Sequence, residues 1–465
     1  MLINWIKEAE KYKDEMIRDL DGLIRIPSLR NKEEASEGAP FGKGPRKALD
    51  YVLDLAEKNG FETKDVDGYA GVISYGEGEE SVGVLGHLDI VPIGEGWTKE
   101  PLALTEENGY LFGRGVLDDK GPAMAGFYAL KMLKDNQVKL NKKIMLILGC
   151  DEESGMECMD YYKDHGEIPA CGFVPDADFP ATYGEKGGLH VLLKGKANTK
   201  IISMEAGTRP NIVIGKAEIE MPYFNEKIKE QFEFYLKSNQ LEGYAKMKDD
   251  HVCLHIDGVF SHAAEPYYGV NAALHLLNFV GIAYDDAFAR NTYEMLCDWQ
   301  GKPLGIQQFG AYMGFLTMNT GVISLKEDGE CVITIDIRYP NDANVDKIMS
   351  SFEHVCKERQ YDLQPVMESD SKPLFVDPNS TLVTSLMRVY RQYSGDEFSP
   401  AKTIGGGTYA RKFENFVAFG PEFPNSEKTT DAFVGGPHQR DEGVKIEDLL
   451  KAVAIYAAAL ESLAK

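Results

Sequence analysis

Val82-Gly83-Val84-Leu85-Gly86-His87-Leu88-Asp89 is a short apolar run that closes on a histidine and an acid, and Lys143 to Gly149 is a second run that closes on Cys150-Asp151-Glu152-Glu153. Continuous apolar runs of this length suit parallel strands buried on both faces. Between them, Pro122 to Leu133 has helical spacing, with Pro122 in the first turn, where a missing N–H costs nothing. Gly172 to Asp176 is a further strand-like segment that ends in carboxylates, and a helix is expected after Glu153, opened by Ser154 and Glu157 as an S-x-x-E capping box. Alternation of this kind predicts an α/β domain over residues 1–188.

Outward from this core the composition shifts after Gly187-Gly188. Residues 189–372 read as strand pairs interspersed with helices, for example Val252 to Val259, Ala272 to Ala283 and Glu330 to Arg338, which predicts an inserted α+β unit of two subdomains. The polar, Pro-containing stretch Ser369 to Pro378 is the expected return crossing, and residues 373–465 complete the first domain. They carry a helix from Ser380 to Tyr393, the cluster Gly405-Gly406-Gly407, a loop rich in Pro and Gly, and a closing helix from Ile446 onward.

The 465 residues are 43% hydrophobic and 27% charged, the balance of a folded globular chain and not of a disordered or fibrous one. A net charge of −24 disfavours a nucleic-acid backbone or an anionic membrane as partner and favours a small substrate. The first residues offer no apolar signal core, and the longest uncharged run, Pro303 to Leu325, is too polar and glycine-rich for a membrane span. Seven scattered cysteines with no C-x-x-C pair predict reduced, buried thiols and a cytoplasmic location.

His87 and Asp89 share a face if the chain is still extended, so the acid can fix the ring of a ligating histidine. Gly113-Arg114-Gly115-Val116-Leu117-Asp118-Asp119-Lys120-Gly121 places two carboxylates just before a helix, where the helix dipole alone would also favour them. Asp151-Glu152-Glu153 repel one another unless a cation or a proton relieves them, and Asp176 and Asp178 close another strand. Ligands of open α/β sheets bind at the carboxyl ends of strands, so these acids and His87 are predicted to converge. Gly436-Pro437-His438-Gln439 adds a distant histidine. Oxygen and imidazole donors without thiolate suit zinc, manganese or cobalt, and five ligands with one shared carboxylate would accommodate two ions.

G-H-x-D, G-R-G-x-x-D-D-K-G, D-E-E-S-G, D-A-D, S-H-A-x-x-P-x-x-G-x-N-A and P-H-Q, in that order over most of the chain, resemble the co-catalytic metallopeptidases that include aminoacylases, carboxypeptidase G and succinyl-diaminopimelate desuccinylase. Length, the G-G-G-T-Y-A-R stretch at 405–411 and F-G-P-x-F-P at 419–424 make the chain most similar to the bacterial dipeptidase V branch. The resemblance implies a mixed-sheet, zinc-peptidase-like catalytic domain with an inserted lid. It also implies two divalent ions, most simply Zn2+, bridged by Asp118, with His87 and Asp176 completing one site and Glu153 and His438 the other. Glu152 would be the general base acting on a bridging water, Asp89 the orienter of His87, and the Asp118–Asp119 peptide cis.

By the same resemblance His262, in Ser261-His262-Ala263, would stabilise the oxyanion, while Arg338 and Asn211 would hold the substrate carboxylate. A strand-end arginine paired with an internal acid is the structural alternative for Arg338. The implied reaction is hydrolysis of dipeptides with a free N-terminus by a monomer. N-acyl amino acid deacylation is the alternative, and a metal-free binding protein on the same scaffold would have lost Glu152 or a ligand. The glycine clusters at 113–115 and 405–407 do not follow a strand and open a helix, as a nucleotide fingerprint requires. Two departures from the family pattern, a long loop from Pro424 to Pro437 and Arg440-Asp441-Glu442 after His438-Gln439, bear on substrate preference.

Overall fold

The computed structural model describes residues 3–248 and 250–465. The chain forms two compact units, one built from residues 1–184, 375–402 and 407–465 and the other from 185–374 and 403–406.

In the first unit a mixed sheet is built from β1 (Glu62–Val66), β2 (Ala70–Tyr75), β3 (Ser81–His87), β4 (Lys143–Gly149), β5 (Cys171–Val174), β6 (Ala181–Glu185) and β7 (Phe416–Phe419), in the order β1-β2-β4-β3-β5-β7-β6. The apolar runs of β3 and β4 are parallel neighbours, as their continuous hydrophobicity predicts, and every residue of β3 is buried. β5 runs parallel to β3 and β7, whereas β1, β2 and β6 are antiparallel to their neighbours.

Helices α1 (Trp5–Ile24), α2 (Lys43–Lys58), α3 (Lys120–Asp135), α4 (Glu157–His165), α5 (Thr381–Ser394) and α6 (Ile446–Ala464) surround this sheet. Gly71, Leu148 and Gly86 pair in register on one face; a Cβ at Gly71 would meet Leu49 and Leu53 of α2, and one at Gly86 would meet Asp119 and Ala123 beside α3. On the opposite face, Gly149 lies against Met159 of α4. α3 is buried on almost every side because it packs on the sheet, on α1 and on α6.

The second unit is antiparallel throughout its two main sheets. One runs in the order Met204–Ala206, Thr317–Leu325, Glu330–Tyr339, Gly187–Lys196, Leu363–Ser371, and the other in the order Lys216–Met221, Val252–Asp257, Glu242–Met247. With helices that include Ala272–Ala283 and Val345–Glu358 this is an α+β unit, and residues of both sheets enter one apolar core.

Two local expectations fail. The helix after Glu153 begins at Glu157, with Met156 at its N-cap and no side-chain cap, so Ser154 and Glu157 form no capping box. Instead Asp151 Oδ2 accepts the Glu157 N–H at 3.1 Å, an acid from the strand end doing what Ser154 was expected to do. The seven cysteines are free, but Cys171 is half-buried and Cys297 exposed, so uniform burial of the thiols does not hold.

Candidate active site

His87 is the last residue of β3 and is fully buried. Because His87 pairs in register with Gly149, the segments that leave β3 and β4 emerge side by side, and the Leu88 N–H bonds Gly149 O at 2.9 Å. Asp89 exploits this adjacency: its Oδ1 accepts the Glu152 N–H at 3.0 Å and its Oδ2 the Glu153 N–H at 3.1 Å. Toward His87 the nearer Asp89 group is the backbone carbonyl, 3.0 Å from Nδ1, with the carboxylate oxygen at 3.4 Å. The side chain expected to orient the histidine thus faces His87 while it also bonds the two glutamate N–H groups.

The Asp118–Asp119 peptide is cis. Asp118 Oδ1 lies 3.0 Å from His87 Nε2, and Asp118 Oδ2 lies 3.0 Å from His438 Nε2. His438 Nε2 is also 3.0 Å from Glu153 Oε1, and Asp176 Oδ2 is 3.9 Å from His87 Nε2. Asp119 turns away, with Oδ2 accepting the backbone N–H of His87 at 2.9 Å, and makes no side-chain bond to the start of α3. Glycine is needed twice here: a Cβ on Gly86 would sit 2.8 Å from Asp119 Oδ2, and one on Gly121 would sit 1.9 Å from Val116 O.

Burial disfavours charge on Asp119, Asp176 and Glu152, and neighbouring carboxylates add to it. Asp119 and Asp176 are pushed well above the usual carboxylate range, by burial first, and Glu152 is pushed up to about 8 by burial and by Glu153, Asp118 and Asp89, with His87 opposing. Burial acts against the His87 cation, yet hydrogen bonds to Asp118 and Asp89 carry that ring well above its ordinary value. His438 rises to about 10 through its bonds to Asp118 and Glu153.

Among the described residues, His87, Glu152 and Asp176 form one group whose donor atoms lie within 4.8 Å of one another, and His87, Asp118 and Glu153 form another. Four-coordinate zinc, with bonds near 2.0–2.1 Å to nitrogen and oxygen, separates its ligand atoms by about 3.3 Å. The contacts of 3.0–3.9 Å among His87, Asp118, Asp176, Glu153 and His438 fall around that spacing. The donors and their separations fit divalent ions.

The remaining residues singled out in the sequence lie in the second unit. The Ala263 N–H bonds Asn211 O at 2.9 Å, Ile212 bridges His262, and the Arg338 charge, after burial, helps to lower the His262 pKa. Arg338 pairs with the fully buried Asp336, Nε to Oδ1 at 2.6 Å and Nη2 to Oδ2 at 2.7 Å, and Asp336 also meets His190 Nε2 at 3.3 Å. The internal-acid partner considered for Arg338 is thus present. Sequence reasoning gave no role to Asp336 or Arg114 and connected Glu442 only with substrate preference, whereas Arg114 and Glu442 form an ion pair beside the Asp118 loop. Their only signals were the arginine inside G-R-G and the unusual triplet after His438.

The profile of Peptidase family M20/M25/M40 matches residues 83–462. The chain belongs to this family. Over 477 aligned residues it is 39% identical to the Bacillus subtilis (strain 168) protein named Putative dipeptidase YtjP, with 100% of each chain covered. It is 36% identical to the Staphylococcus aureus (strain MRSA252) protein named Putative dipeptidase SAR1836, with 99% of each covered. Among solved structures, human carnosine dipeptidase 1 superposes with a TM-score of 0.57 at 16% identity, covering 99% of this chain and 98% of that one. The Bacillus subtilis YXEP protein, described as a dinuclear metal-binding peptidase of the M20 family, gives a TM-score of 0.50 at 11% identity over 98% of each chain. Those two likenesses are likenesses of fold. As a member of the M20 peptidases the chain is a metallopeptidase, a hydrolase acting on peptide bonds.

Proposed function

We propose that this M20 peptidase hydrolyses dipeptides with a free N-terminus, using two divalent ions, zinc in the first instance and manganese or cobalt as alternatives. The observation that carries the proposal is Asp118, whose two oxygens face different histidines, His87 and His438, each at 3.0 Å, as a carboxylate shared by two ions must. His87 and Asp176 then complete one site, and Glu153 and His438 the other. When bound, such ions polarise the scissile carbonyl and acidify water.

The protein's own part is proton movement and positioning. Glu152 accepts a proton at its carboxylate from the attacking water and returns it to the leaving amine. Asp89 holds the Glu152 and Glu153 backbones through its two oxygens, which keeps the base and the ligand in fixed relation. His262 stabilises the oxyanion, and Arg338, with Asn211, binds the substrate carboxylate. Asp336 occupies Nε and Nη2 of Arg338, and its Nη1 lies outside that pair. Two bacterial relatives matched over essentially their whole length carry the name Putative dipeptidase, which supports the substrate class. Free thiols throughout are in keeping with a cytoplasmic enzyme, and we take it to act as a monomer.

The test is a substrate panel on the purified enzyme loaded in turn with Zn2+, Mn2+ and Co2+. Free dipeptides should be cleaved, and dipeptide amides and N-acetylated dipeptides should be poor substrates. Rapid cleavage of N-acetyl amino acids with no turnover of free dipeptides would make the enzyme a deacylase and overturn the substrate assignment.

A further inference from the structure

Glu442 is completely buried, and its carboxylate is divided between two tasks. Oε2 accepts from Arg114 Nη1 at 2.6 Å, while Oε1 collects the backbone N–H groups of Gly115 at 3.1 Å, Leu117 at 2.9 Å and Asp118 at 3.1 Å. Arg114, also buried, lies over the Trp97 ring at 5.1 Å and uses Nη2 to donate to Ile93 O at 3.1 Å and to His438 O at 3.3 Å. The Gly113 N–H bonds the Glu442 carbonyl at 3.0 Å. One ion pair thus ties the main chain of Asp118 to the main chain of His438, two residues far apart in sequence whose side chains meet at 3.0 Å.

Stability does not require such a pair, because apolar residues of matching volume commonly replace a buried ion pair at no loss. Apolar replacements, however, could not gather three N–H groups at one point or grip the carbonyl of His438. We propose that Arg114 and Glu442 are positioning residues that set the separation of Asp118 and His438, and through it the affinity for the ions those two side chains hold. This rests on the reading of Asp118 and His438 as metal ligands.

The full-length chain, stripped of metal by a chelator, is titrated with Zn2+ in competition with a chromophoric chelator, for the wild type and for Arg114→Lys, Glu442→Gln, Asp118→Ala and His438→Ala. Arg114→Lys keeps the charge facing Glu442 but loses the planar fork that reaches His438 O. Glu442→Gln keeps an oxygen for the N–H groups but loses the charge. Each should bind Zn2+ roughly 10–100-fold more weakly, the usual cost of removing a group that orients a ligand, while keeping a wild-type circular dichroism spectrum. Wild-type Zn2+ affinity in both variants, with affinity lost in Asp118→Ala and His438→Ala, overturns the positioning role and leaves the ligand assignment standing. Wild-type affinity and stoichiometry in Asp118→Ala and His438→Ala overturns the ligand assignment itself, and the proposal with it. If one of the two pair variants does not fold, the other decides. If neither folds, the pair serves the fold and the proposal fails.

Discussion

Asp118 and Glu152 are both half-buried acids of one cluster, and what their oxygens touch separates their predicted roles. Asp118 meets both histidines, so Asp118→Ala should leave fewer than two ions per chain by elemental analysis; full occupancy would remove it as the shared ligand. Asp89 holds the main chain of Glu152, whose side chain is the proposed base. Glu152→Ala should therefore retain the ions and lose ~10²–10⁴ in kcat, the range of general acid–base groups. Unchanged turnover in a metal-replete variant would dismiss it as the base. Arg338→Ala should lower kcat/KM for free dipeptides by about one and a half to three and a half decades, the ~2–5 kcal/mol of a lost charge partner. If Arg338 reads the terminal carboxylate, amidating the dipeptide on top of that substitution should cost little more; fully additive losses would show that it does not.

At the level of elements, α4 shows a local motif yielding to a stronger partner. Ser154 and Glu157 have capping-box spacing, but the chain leaving β4 turns so that Asp151 reaches the Glu157 N–H first. Asp151 is locked in place by Arg30, whose Nη1 approaches Oδ1 at 2.8 Å, and Arg30 also binds Glu157 at 2.8 Å. Asp151→Ala should cost about 3 kcal/mol in urea unfolding, the lower end for breaking a buried pair because Arg30 keeps Glu157. A loss within ~0.5 kcal/mol, the ordinary range for surface substitutions, would show that Asp151 does not anchor α4. β3, β4 and α3 were legible from residue type alone, because strands buried on both faces must be apolar throughout and a helix buried on almost every side must be too.

For the molecule as a whole, so many carboxylates gathered in one place make bound cations part of its stability. Chelation should lower Tm, and re-addition of Zn2+ should restore it, because a ligand bound only by the folded state stabilises by about 4 kcal/mol at a thousand times its Kd. The same cycle applied to Asp118→Ala should give a much smaller shift; an equal one would place the stabilising ions elsewhere. The monomer reading makes its own prediction: mixing His262→Ala with Glu152→Ala should not restore activity, since each chain would lack one component of its own site. Recovery in the mixture would show that the histidine crosses between subunits.

The sequence by itself determined the α/β alternation of the first unit and the strand ends where His87, Glu153 and Asp176 lie, because apolar runs and strand-end acids are local signals, whereas grouping these with Asp118 and His438 as ligands came from the family resemblance. It also carried the inserted α+β character of the second unit. Only the tertiary structure decided what holds these residues in place. Asp89 bonds Glu152 and Glu153 as well as facing His87, Asp336 takes up part of Arg338, and Glu442 supports the Asp118 loop across more than three hundred residues. Such partners are chosen by proximity after folding: a buried polar group must bond whatever donor or acceptor the packing brings within reach, and sequence spacing does not record which one that will be.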